Sequence, residues 1–67
     1  MPRAFDARER QSIEAALKEA ALGALRNGGM RNCTVASLCR AAGISKGAFY
    51  GFYENKEHLV LTLLREA

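Results

Sequence analysis

The sequence predicts an all-α domain, and three features of its 67 residues predict it. The only proline is Pro2, so no later helix is broken from within. No stretch alternates apolar and polar residues with β-branched enrichment, which a half-buried strand requires. Four segments instead repeat apolar residues three and four apart, the period of a helix that buries one stripe. Each segment opens on a capping residue, and the first two close on glycine.

The first helix is expected from about Ala7 to Asn27. Asp6 and Glu9 have capping-box spacing, with Asp in place of the usual Ser or Thr. Ile13, Leu17, Ala20, Ala21, Ala24 and Leu25 form its inward stripe, and Gly28-Gly29 stops it. The second runs from about Val35 to Ala42, capped by Thr34 and ended by Gly43, with Val35, Leu38, Cys39 and Ala42 on its buried face. The third is expected over 45–52, with Ser45 at its start. Ile44 before Ser45 and Phe49 after it match a hydrophobic staple, so Gly43-Ile44-Ser45 reads as a rigid turn. The fourth is expected over 56–67, with Asn55 as cap and Leu59, Val60, Leu63 and Leu64 on one face.

Two helices joined by a short glycine-containing turn are the layout of a helix-turn-helix. The prediction is therefore a homeodomain-like three-helix helix-turn-helix domain plus the start of a fourth helix. At about 100° per residue, Phe49, Phe52 and Tyr53 turn toward the core. Lys46, Gly47, Ala48, Tyr50 and Gly51 form the outward arc.

Size and charge narrow the function. A chain this short buries only about 60% of its unfolded surface, which leaves no room for a deep catalytic cleft. No apolar run is long enough to span a membrane, and no apolar signal segment follows Met1-Pro2-Arg3. A cytoplasmic location is expected. The net charge is +3, but residues 26–56 alone hold five cations against Glu54, a local excess of +4. A confined basic excess suits a phosphate backbone.

Thr34-Val35, the run Ala41-Ala42-Gly43-Ile44-Ser45-Lys46-Gly47-Ala48-Phe49-Tyr50, then Tyr53, Asn55-Lys56-Glu57 and Leu59 resemble the DNA-binding domain of TetR-type transcriptional repressors. The resemblance runs from about Leu17 to Leu64 with its spacing kept. It implies a sequence-specific, ligand-responsive repressor that binds double-stranded DNA in the major groove at a palindromic operator. It implies that Thr34 and Tyr50 hydrogen-bond phosphates, that Lys56 meets the backbone as a cation, and that Lys46 reaches a base edge or phosphate. Gly47 would let the helix backbone come close, and Ala48 would offer a methyl to thymine where the family often has threonine. Ser45 and Gly51 complete the expected DNA-binding set. In the family a C-terminal domain dimerises the protein and binds a small-molecule inducer. That domain is expected to be absent from this chain, which would be a monomer alone and a homodimer at full length.

The chain departs from the family pattern at Gly51, usually a larger residue, and at Phe52, usually histidine or tyrosine. It departs again at Tyr53, usually phenylalanine, and at His58, usually a glutamate that completes a capping box from Asn55. The first helix also starts about two turns early, which would bring Pro2 and Arg3 near DNA as an arm.

Other chemistries find weaker support. Gly43-Ile44-Ser45-Lys46-Gly47 matches a nucleophile elbow, but that motif needs a preceding strand and a triad. Cys33, Cys39 and His58 lack zinc-ligand spacing. Cys39 is expected to pack as a small apolar group, Cys33 to lie at the surface or a boundary, and His58 to be solvated. No catalytic residue, metal or cofactor is expected. The rival from another class is a small helical protein–protein module, for which Leu61, Leu63 and Leu64 would supply the contact face.

Overall fold

The computed structural model describes residues 5–66. The described residues form four α-helices, α1 (Ala7–Arg26), α2 (Val35–Ala42), α3 (Lys46–Tyr50) and α4 (Lys56–Glu66), with one 3₁₀ turn at Gly29–Arg31 and no strand among them. The all-α expectation holds. The proposed arm at Pro2 and Arg3, and the last position Ala67, lie outside the described residues.

Each helix starts where its cap is. Asp6 Oδ1 accepts from the Glu9 backbone N–H at 2.8 Å, and Glu9 Oε1 accepts from the Asp6 N–H at 3.2 Å. Thr34 Oγ1 accepts from the Ser37 N–H at 3.1 Å, and Ser37 Oγ accepts from the Thr34 N–H at 3.4 Å, a second capping box that includes Ser37. Asn55 Oδ1 accepts from the His58 N–H at 2.7 Å. Helix one ends at Arg26 rather than Asn27. Asn27 is its cap, the Asn27 side chain donates to the Gly23 carbonyl, and the Asn32 side chain donates to the Asn27 carbonyl.

α2 ends in a Schellman motif. The Ile44 N–H donates to the Cys39 carbonyl at 3.0 Å and the Gly43 N–H to the Arg40 carbonyl at 3.4 Å. Gly43 is left-handed, φ 71° and ψ 33°, which fixes the direction in which the chain leaves.

The third helix is shorter than the expected 45–52. It spans five residues, and Gly51 is its C-cap rather than an interior position. The Gly51 and Phe52 N–H groups donate to the carbonyls three residues back, Ala48 and Phe49, which tightens the last turn. A helix this short has no stability of its own. Phe49 is fully buried, and that burial contributes about 2–3 kcal/mol, enough to hold α3 against the other helices.

The core is one cluster of Leu17, Ala21, Cys33, Leu38, Cys39, Phe49, Tyr53 and Leu59, drawn from every α-helix and from two of the three connections between them. α1 lies across α2 and α4, and α2 carries α3. Ile13, Ala20, Ala24, Val35, Ala42, Ile44, Phe52, Val60 and Leu63 pack around the cluster. The expected stripes of α1, α2 and α4 are thus in place, except that Leu64 stays 68% exposed and Leu25 is half-buried outside the cluster and its packed neighbours. Cys33 corrects the sequence reading. It is fully buried, because the 3₁₀ turn after α1 folds the chain back so that Cys33 enters the core just before α2 begins.

Candidate nucleic-acid interface

α3 presents two unlike sides. Phe49 is inside, while Lys46, Gly47, Tyr50 and Gly51 are exposed and Ala48 is half-buried. Ser45 caps the helix, its Oγ accepting from the Ala48 N–H at 3.1 Å. A hydroxyl that accepts this bond still has its own O–H to donate, so Ser45 and Thr34 can each cap a helix and reach an anion. The Tyr50 ring stands edge-on to Phe49, centroids 5.5 Å apart at 86°, and is 55% exposed. Its position is thus braced by the core while its hydroxyl is outside.

Lys46 opens α3 beside Cys39. The Cys39 thiol donates to the Ser45 carbonyl at 3.6 Å. Burial pushes this thiol up from its ordinary pKa, and the Lys46 charge pulls it back. Lys56 opens α4 near the start of α2. Burial likewise pushes the Cys33 thiol up, with the charge of Lys56 opposing and that of Glu57 assisting. Cys33 immediately precedes Thr34, the cap of α2. The eight residues singled out by sequence therefore fall into two groups. Ser45, Lys46, Gly47, Ala48, Tyr50 and Gly51 lie along α3. Thr34 and Lys56 lie at the starts of α2 and α4.

Residues 14–63 match the family model of the bacterial regulatory proteins of the tetR family. The chain belongs to the tetR family. No curated protein and no solved structure matches it. The tetR-type domain is a DNA-binding module of transcriptional regulators, and the matched residues run through most of α1, the whole helix-turn-helix and most of α4.

Three features of this tetR-type domain escaped the sequence reading. His58 is not merely solvated. Its Nδ1 accepts from the Glu54 backbone N–H at 3.1 Å, and its ring meets Tyr53 edge-on at 5.4 Å. It thus ties down a donor ahead of α4, one residue earlier than a glutamate closing the box on Asn55 would. Phe5 and Arg10 both meet Phe52. The signal for that was present: Phe5 directly precedes the Asp6 cap and Arg10 follows the cap by four, the spacing of a staple. The third feature is an open apolar groove at the other end of the molecule, lined by Leu22, Leu25, Val60, Leu63 and Leu64.

Among the described residues no group of three or more His, Cys, Asp or Glu is placed to hold a metal ion. No helix there is long and apolar enough to cross a membrane.

Proposed function

We propose that the tetR-type domain binds operator DNA with α3 in the major groove, as the DNA grip of a ligand-responsive repressor. The observation that carries this reading is the two-sidedness of α3. Its buried Phe49 anchors the helix, and its exposed side is a lysine, a phenol and bare backbone. Thr34, Ser45, Tyr50 and Lys56 anchor phosphates in this reading. Lys46, Gly47, Ala48 and Gly51 line the groove. The exposed face offers no Arg, Asn or Gln, the side chains that best read base edges. Affinity therefore comes mainly from phosphate contacts, and specificity from Lys46, close backbone approach and DNA shape. The working protein is a cytoplasmic homodimer on a palindromic site, its inducer held by a separate domain, and this chain alone is a monomer. Catalysis has no place in this reading, because the Gly43–Gly47 run follows a helix, α2, where a nucleophile elbow needs a strand.

Titration of a labelled duplex across a salt series tests it. Affinity should fall steeply with salt as counterions are released. Lys46→Gln and Lys56→Gln should each lower the log–log slope by about 1. No duplex affinity at low salt would leave the second reading, a protein–protein module, which the groove of Leu22, Leu25, Val60, Leu63 and Leu64 favours.

A further inference from the structure

The start of α1 is fastened to the end of α3 through one ring. Phe52 lies in the turn that follows α3, and its ring centroid is 6.0 Å from that of Phe5, tilted by 39°. The Arg10 guanidinium carbon sits 4.6 Å over the centre of the same ring. In an ordinary staple the residue before the cap and the residue four after it are both apolar and touch each other. Here the second is a cation, and the two meet on Phe52 instead. The capping box at Asp6 and Glu9 fixes the helix start that gives them this reach. The Arg10 N–H donates to the Asp6 carbonyl at 2.9 Å, the first bond of the helix.

Arg10 is exposed, and no ion pair involves it among the described residues. A guanidinium lying on a ring spends its flat face there and leaves its N–H donors at the rim. Their planar fork fits a phosphate in two-pronged fashion, and a side chain already ordered by stacking loses less freedom on binding. Asp6 and Glu9 each accept from the other's backbone N–H in the capping box and keep their charge, Glu14 lies a further turn along α1, and Arg8 adds a second cation to the same end.

We propose that Arg10, presented on the Phe52 ring, grips the DNA phosphate backbone and extends the interface from the helix-turn-helix to the start of α1. The inference rests on the DNA-binding reading above. Arg10 precedes residues 14–63, so nothing in the family match assigns it this role. Phe52 is then a positioning residue. It contributes no phosphate contact itself and acts by holding Arg10 at the turn that follows α3.

The test measures fluorescence anisotropy of this chain on a fluorescein-labelled mixed-sequence duplex, between about 50 and 200 mM salt. Arg10→Gln should reduce the magnitude of the log–log slope by about 0.9, so that this salt increase weakens the variant about 3-fold less than the wild type. Arg10→Lys should keep most of the slope, because the charge remains. Phe52→Leu should lower the slope as Arg10→Gln does, Phe52→Tyr should retain it, and the Arg10→Gln/Phe52→Leu pair should lose no more than either alone. Circular dichroism checks that each variant is folded; if Phe52→Leu is not, Arg10→Gln against Arg10→Lys decides. A wild-type slope in Arg10→Gln, with a lowered slope in Lys46→Gln, overturns the inference and leaves DNA binding standing. A lowered slope in Arg10→Gln with an unchanged one in folded Phe52→Leu overturns the role of the ring. No duplex binding by the wild type overturns both readings at once.

Discussion

Gly47 shows how the interface and the fold make different demands on one residue. A Cβ built there would meet only Ser45 Oγ, at 3.8 Å, an ordinary contact. Its backbone is not in the left-handed region, so the fold does not require glycine. Gly47→Ala should therefore stabilise α3 by about 0.5–1 kcal/mol, the usual gain on replacing a helical glycine. The added methyl stands on the exposed side, where the proposed reading has DNA. Duplex affinity should fall while the melting temperature rises. A rise in both would mean that DNA does not approach the backbone there. Gly51 is different, because a Cβ would stand 3.2 Å from the Ala48 carbonyl and force the tight closing turn of α3 to shift.

At the scale of elements, the caps were legible in the sequence because capping is local. Asp6, Thr34, Ser45 and Asn55 each bind an N–H three residues on, and the spacing alone reveals them. The length of α3 was not legible, since periodicity continues through Phe52 while the bonds have already tightened to three-residue closures at Gly51. Burial of Cys33 was hidden for a related reason. The 3₁₀ turn that carries it inward has no apolar period of its own. The outward arc of α3 was readable from the wheel, whereas Arg10 entered the site through a contact with Phe52, forty-two positions away in the chain. The turn between α2 and α3 gives a clean test of what local geometry is worth. A Cβ at Gly43 would meet nothing within 4 Å, yet φ is +71°. Gly43→Ala should cost about 1–2 kcal/mol from the left-handed backbone alone, read as a lower denaturation midpoint with an unchanged urea m-value. No loss of stability would show that the Schellman turn relaxes freely and does not set the angle of α3.

The whole molecule divides its surface by chemistry. The starts of α1, α2, α3 and α4 carry Arg10, Thr34, Lys46 and Lys56, while the late parts of α1 and α4 enclose the groove of Leu22, Leu25, Val60, Leu63 and Leu64. Lys18 and Glu66 close that far side with a 2.7 Å ion pair. Between the two surfaces lies a small core containing three weak acids. Burial pushes Cys33 and Cys39 above the ordinary thiol value of 9.0 and Tyr53 above the ordinary phenol value of 10.0. Lys18 is also raised, by its hydrogen bond to Glu66. All four shifts act in one direction. A raised folded-state pKa means that the folded chain holds its proton longer than the unfolded chain does, so the unfolded state gains as pH climbs. Stability should be level below the thiol range and should fall as pH rises from about 9 through the higher folded-state values. Melting curves taken from neutral pH to about pH 10.5 should show a steadily lower midpoint. Cys33→Ala and Cys39→Ala should each melt lower at neutral pH but lose less between neutral and alkaline pH than the wild type. A midpoint that stays level across that range would mean that the thiols and the phenol are open to solvent, and that the core holding α3 in place is looser than its packing implies.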